Sequence, residues 1–245
     1  MHVERELNKY GNGTSNYDKY PFVSVTDRSS DCVKGWKHIA ASLNDAVKDL
    51  DDSTKTIVIE TYHGVYNDAL KAELKRSFKH DFWYDTNELF KEEEQINRLL
   101  NEALGDHPIF GFMSDFTMDD FMEKNRQVDL VARIKGNGEG ISVVFGVGAS
   151  LLVSQPSCII YADMARWEIQ QRMRSNRVCN LAATNYDDPI ASKYKRAYFV
   201  DWRVCDKIKK KLLPHLDFLL DLNDEEMPRM IPGSLFRLGL EKATH

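Results

Sequence analysis

Apolar residues recur along this chain with two periods, and the switching between them predicts the fold. The stretch Lys55 to Phe78, KTIVIETYHGVYNDALKAELKRSF, holds both periods in one unit. Thr56 to Ile59 is a β-branched run that reads as a buried strand. Glu60 to Tyr66 is a short loop with one glycine, Gly64, and Asn67 or Asp68 is placed to cap a helix carrying Leu70, Leu74 and Phe78 on one face. Before this unit, Ile39, Leu43, Val47 and Leu50 mark a helix from Trp36 to Leu50. After it come a strand at Asp81 to Asp85, then a helix capped by Asn87 and running to Leu104. Gly105 to Phe121 reads as a long aromatic and acidic loop. A helix through Val128 to Lys135 stops at Gly136, and strands follow at Ile141 to Phe145 and Cys158 to Asp163. Arg166 to Asn176 has the pattern of a helix, 197–202 (AYFVDW) of a strand, Val204 to Leu213 of a basic helix and Asp217 to Leu222 of a last strand. A final helix starts at Ser234. Such alternation predicts an α/β fold, a mostly parallel sheet with flanking helices. Residues 1–31 are polar, with a strand-like patch at Phe22 to Val25, and read as an arm on a single domain spanning 32–245.

Composition narrows the classes of partner. A net charge of -5 over 245 residues argues against nucleic-acid binding through overall electrostatics. The N-terminus has no apolar core of a signal peptide, and no run approaches the roughly 18 apolar residues of a membrane span. These features predict a cytoplasmic protein that needs no membrane. Cys32, Cys158, Cys179 and Cys205 are far apart and form no CxxC pair, so they read as free thiols, two of them buried. The histidines show neither HxH nor HExxH, and no metal site is predicted.

Four places carry candidate chemistry. The loop Glu60 to Asn67 occupies the strand-to-helix position of a phosphate loop. A GxxxxGK(S/T) loop needs glycines for converging amides, a lysine for phosphate and a hydroxyl for magnesium. Here Glu60 stands at the first glycine, and Tyr66 and Asn67 at the lysine and hydroxyl positions, leaving Tyr62, His63, Gly64, Tyr66, Asn67 and Asp68 as ligand-binding candidates. A plain strand-to-helix turn is the competing reading. Gly146, Gly148 and Ser150, in GVGAS after a strand, resemble the start of GxGxxG, although Leu151 replaces its third glycine. Arg166, Arg174 and Arg177 would project within about 80° of one another on one helix and could reach an anion, or else form a solvated face. Lys207, Lys209, Lys210 and Lys211 read as the exposed side of their helix. Asp163 and Asp201 each end an apolar run, where a base or magnesium ligand sits in α/β enzymes, and also where a helix cap sits.

The ordered set GVYND, HPIFGF, VVFGVGASLL, IIYADMARWEIQQRMR, KYKRAYFVDWRVCDKIKK and GSLFRLGLEKA resembles the N-terminal domain of the long bacterial form of class I mannose-6-phosphate isomerase, over about residues 15–243. That resemblance implies a three-layer sandwich similar to P-loop nucleoside kinases. It also implies a zinc-dependent cupin isomerase domain in cis or in trans, with zinc and the sugar-phosphate site in the cupin part; no cofactor is expected in this chain. Tyr66 and Asn67 depart from the kinase pattern. The expectation is therefore a degenerate kinase-like module that binds a nucleotide or a sugar phosphate. Two alternatives stay open. One is a working phosphotransferase in which an arginine replaces the lysine and Asp163 or Asp201 serves magnesium or proton transfer. The other is a partner-binding module that uses the aromatic loop Ile109 to Phe121.

Overall fold

The computed structural model describes residues 22–25 and 31–244. A short strand β1 (Val33–Lys34) precedes helix α1 (Trp36–Lys48), whose Ile39, Leu43 and Val47 turn inward at the predicted spacing. β2 (Thr54–Thr61) then buries five residues in succession, Ile57 to Thr61. Consecutive burial means that both faces of the strand are covered, the signature of a parallel sheet between two layers of helices. Helix α2 (Asn67–Ser77) follows, then β3 (Phe82–Asp85), α3 (Glu93–Leu104), the single turn α4 (Met118–Phe121) and α5 (Lys124–Lys135). β4 (Gly140–Gly146), β5 (Cys158–Asp163), α6 (Arg166–Arg174), α7 (Ile190–Arg196) and α8 (Trp202–Leu212) lead to β6 (Phe218–Asp221), β7 (Arg229–Pro232) and α9 (Gly233–Thr244).

The seven strands are ordered β1-β7-β6-β5-β2-β4-β3. The five from β3 to β6 are parallel, and β7 and β1 add an antiparallel edge. The chain is thus a three-layer α/β sandwich, with the mostly parallel sheet that its alternating pattern predicts. β2 is central, paired with β4 on one side and β5 on the other, and Glu60 falls opposite both Gly146 and Tyr161. Ile57, Ile59, Val143, Phe145 and Ile160 build the core around it, each burial adding about 1.5–3 kcal/mol. No helix among the described residues is long and apolar enough to cross a membrane.

Several local expectations change. AYFVDW is helical: Ala197–Asp201 forms a π-helical turn that joins α7 to α8 in one rod. Its buried residues Ala197, Val200, Asp201, Val204, Cys205 and Ile208 recur at helical spacing, which a six-residue apolar window cannot reveal. α2 starts without a side-chain cap from Asn67 or Asp68; its N-cap is Tyr66. Asn87 caps nothing. Asp85 accepts from the Asn87 amide (2.9 Å) to start a 3-10 turn, and α3 begins later, on a reciprocal Glu92–Gln95 capping box. Phe22 to Val25 forms no strand, although the Ser24 carbonyl accepts from Lys242 on α9 (3.5 Å); the rest of the predicted arm, save Asp31, lies outside the described residues. All four cysteines are free, with Cys158 and Cys205 buried.

Candidate functional site

The loops gather at the C-terminal edge of the parallel strands. β2 leads through α2 to one side of the sheet and its neighbour β5 leads through α6 to the other, a reversal that opens a crevice above β2. A cavity of about 520 Å³ lies there, lined by the loop after β2, Asp85 to Asn87, Gly146, the segment Arg177 to Ala183, Tyr186 and Glu225. Of the predicted ligand residues, it brings together Tyr62, His63, Gly64, Tyr66, Asn67, Asp68 and Gly146.

The loop after β2 is shaped by what grips it. Gly64 adopts φ 97°, and a Cβ there would stand 2.7 Å from Ile169 of α6, so the loop must pass α6 without a side chain. The Gly64 carbonyl accepts from buried Arg172 (3.2 Å), whose guanidinium also donates to the Leu222 carbonyl (2.9 Å) and Glu168 (3.1 Å). His63 points inward. Trp202 Nε1 can only donate, so at 3.1 Å it fixes His63 Nδ1 as the acceptor, and Nε2–H donates to the Cys179 carbonyl (2.8 Å). Burial lowers the His63 pKa against the opposing pull of Asp201, which fits this neutral tautomer.

Glu60 settles the second glycine loop. Its carboxylate, 1% exposed, accepts from the Gly148 amide (2.6 Å) and the Ser150 amide (2.8 Å). Gly148 and Ser150 therefore do not line the cavity as phosphate-binding amides; an internal carboxylate already uses them. Burial outweighs these two hydrogen bonds and pushes the Glu60 pKa up to about 7.

Polar groups without partners mark the cavity instead. Thr86 is 1% exposed, yet its Oγ1 has no hydrogen-bond partner; the Tyr66 hydroxyl and Asn67 Oδ1 are likewise closed off and unpartnered. The first amides of α2, at Asn67, Asp68 and Ala69, border the same space and carry the positive end of the helix dipole. The cations there are paired. Lys71 meets Asp85 (2.8 Å) and Asp68 (3.3 Å), and Arg177 meets Glu225 (2.9 Å). Tyr66, at the lysine position of a phosphate loop, lies under Arg172 (4.0 Å) and Arg177 (4.8 Å).

The wall Arg177 to Tyr186 is pinned from the rod α7–α8. Lys193, fully buried, donates from Nζ to Met173 O (2.9 Å), Asn176 Oδ1 (2.9 Å) and Tyr186 O (2.5 Å). Asp201, also fully buried, accepts from Asn180 Nδ2 (2.6 Å) and the Leu181 amide (3.3 Å), and pairs with Arg196 (3.4 Å). Asp201 is thus an internal anchor on a helix, not a strand-end base. Asn176 and Ala182 hold left-handed backbone, φ 55° and 50°, which this network enforces.

The remaining predicted residues lie elsewhere. Asp163 ends β5 and pairs with Lys209 (2.5 Å) beside a separate hollow of about 460 Å³. Arg166 borders that hollow, donating to Asp206 (2.5 Å) and lying over Trp202 (5.0 Å). Arg174 is exposed, over Trp167 (6.0 Å), and Arg177 falls beyond the end of α6. The three arginines therefore do not form one face. Lys207 and Lys209 leave the expected solvated stripe, Lys207 to donate to Asp115 O (2.6 Å) and Phe116 O (2.9 Å). Thr86, Lys71 and Glu225 carry no motif in the sequence, since each reaches the cleft from a separate loop or helix.

Fold and site define a three-layer α/β protein with a polar, charge-balanced cleft at the carboxyl edge of its sheet. The chain belongs to the family described as Domain of unknown function (DUF8485), which it matches over residues 35–245. A search of curated proteins returned no match.

Proposed function

We propose that the chain is a degenerate kinase-like module of a cytoplasmic protein, which binds a nucleotide or a sugar phosphate in the β2 cleft without transferring phosphate. One observation carries this reading: the N-terminus of α2 opens on a 520 Å³ cavity where Thr86 Oγ1, Tyr66 OH and Asn67 Oδ1 are closed off with no partner. Buried polar groups of that kind are normally satisfied, and a ligand that uncovers them on entering, bringing hydroxyl and phosphate oxygens, would satisfy them. Against catalysis stand Tyr66 and Asn67 at the lysine and hydroxyl positions, and the engagement of Asp163 by Lys209 and of Asp201 by Asn180 and Arg196. The resemblance to the isomerase N-terminal domain adds sugar phosphates to the ligands worth testing.

The test is a thermal-shift screen with ATP, GTP, mannose 6-phosphate and fructose 6-phosphate, each with and without magnesium, beside an assay for ATP turnover. At a hundred times its dissociation constant a ligand adds roughly 2.7 kcal/mol of stability. Thr86→Val, which keeps the shape and removes the hydroxyl, is expected to shrink the shift. No shift with any of the four ligands, or magnesium-dependent turnover of ATP, overturns the reading.

A second role rests on the loop after α3. Ile109, Phe110, Phe112 and Met113 are all more than half exposed. The loop is nevertheless anchored, by Lys195 on Gly105 O (3.0 Å) and His107 O (2.5 Å) and by the Ser114 amide on Phe199 O (3.1 Å). A fixed apolar loop suits docking of a partner domain, such as a cupin isomerase domain in cis or in trans.

A further inference from the structure

Every cation around the cleft already holds an oxygen, so an anionic ligand has to displace something. Arg172 is buried, does not border the cavity, and is divided between two carbonyls, Glu168 and, at 3.9 Å, Glu225. Lys71 is shared by Asp85 and Asp68. Arg177 differs. Its side chain is 53% exposed, it stands on a loop, and its one salt-bridge partner among the described residues is Glu225, 42% exposed on the loop between β6 and β7 and also within 3.9 Å of Arg172. One guanidinium nitrogen meets both Glu225 oxygens at 2.9 Å. An exposed pair of this kind contributes about 0–1 kcal/mol, so it is the easiest contact at the cleft to exchange.

The replacement would be chemically favoured. A phosphoryl group offers a planar guanidinium the same two-oxygen edge as a carboxylate, with more negative charge. Arg177 already lies 4.8 Å from the ring of Tyr66, whose unpartnered hydroxyl, once uncovered, would be a donor to the same group. Arg177 and Glu225 both border the cavity that Thr86 and the α2 amides line.

We propose that Arg177 is the residue that takes the phosphoryl group of the cleft ligand, and that Glu225 is its built-in competitor, occupying the guanidinium until an anion arrives. This inference rests on the reading of the cleft as a phosphate-binding site. It assigns the charge recognition to a loop arginine at the mouth of the cleft, in place of the lysine missing from the loop after β2.

The experiment is calorimetric titration of wild type, Glu225→Gln and Arg177→Met with inorganic phosphate, ATP and mannose 6-phosphate at low salt. Both substitutions are at exposed positions, and methionine retains an apolar stem over Tyr66, so all three proteins are expected to melt together. Binding of a probe to wild type, about fivefold tighter binding to Glu225→Gln and at least tenfold weaker binding to Arg177→Met bear the inference out; fivefold corresponds to about 1 kcal/mol of lost competition. Equal binding to wild type and Arg177→Met overturns the role of Arg177 and leaves the phosphate cleft standing. Equal binding to wild type and Glu225→Gln, with Arg177→Met weakened, overturns the competitor role. No binding of any probe to wild type or Glu225→Gln overturns both this inference and the reading beneath it.

Discussion

Glu60 makes the stability of this protein depend on pH in a direction opposite to that of most carboxylates. Its side chain is sealed in the sheet between β4 and β5 with two amide donors, and its pKa rises from 4.5 to about 7 because burial penalises the charge more than the Gly148 and Ser150 amides stabilise it. The neighbouring titratable groups Tyr161 and Cys205 are themselves pushed upward by burial, so neither ionises near neutrality. Below pH 4.5 the group is protonated whether folded or unfolded and contributes no penalty. Between 4.5 and about 7 the unfolded chain releases the proton while the folded one keeps it, so stability falls as pH rises; above about 7 the full penalty stands. A shift of about 2.5 units at 1.36 kcal/mol each gives roughly 3 kcal/mol. Urea unfolding of wild type and Glu60→Gln at pH 5 and pH 8 isolates this term, because every other titration is shared. Part of this penalty is already present at pH 5, so the wild type is expected to lose about 2.5 kcal/mol more than the variant between the two pH values, a relative midpoint change of about 1 M urea. A difference that stays constant with pH would refute the reasoning. It would mean that the two amides keep the carboxylate ionised throughout.

Two further predictions concern the cleft's frame. Lys193→Met removes the buried cation that holds Met173, Asn176 and Tyr186, leaving their oxygens unpaired; about 3 kcal/mol of stability is expected to go, with amide hydrogen exchange accelerating first in 176–186, and protection unchanged there would contradict the anchor. Gly64→Ala places a Cβ 2.7 Å from Ile169 at φ 97°, so a loss of at least 2 kcal/mol is expected in denaturant unfolding, and Ile169→Ala in the same chain should recover part of it.

What could be read from the chain follows how far each signal reaches. Periodicity is local, so the five parallel strands and most helices were legible from their own residues. The β-branched run at Ile57 to Ile59 and the Leu70–Leu74 face needed no knowledge of their neighbours. AYFVDW failed because five apolar residues in a window of six fit either period, and only the rod in which they continue decides for a helix. The strands β1 and β7 escaped because VK and RMIP hold only one and two apolar strand-type residues, with a proline closing the second, too little for a pattern.

The cleft divides in the same way. The loop after β2 was found from sequence, since a strand, a glycine and a helix in succession place it at the sheet edge wherever the strand lies. Its chemistry was not. That Glu60 would spend the Gly148 and Ser150 amides depends on β2 lying beside β4, 88 and 90 residues away along the chain. That Asp201 would anchor Asn180 depends on the π turn, and that Arg177 would meet Glu225 depends on two loops 48 residues apart converging over Tyr66. The sequence alone determined the layers and the edge where a site must lie, because side-chain patterning acts over a few residues. Only the tertiary structure decided which charges at that edge are already satisfied, because pairing is set by proximity in space and the chain reports only proximity along itself.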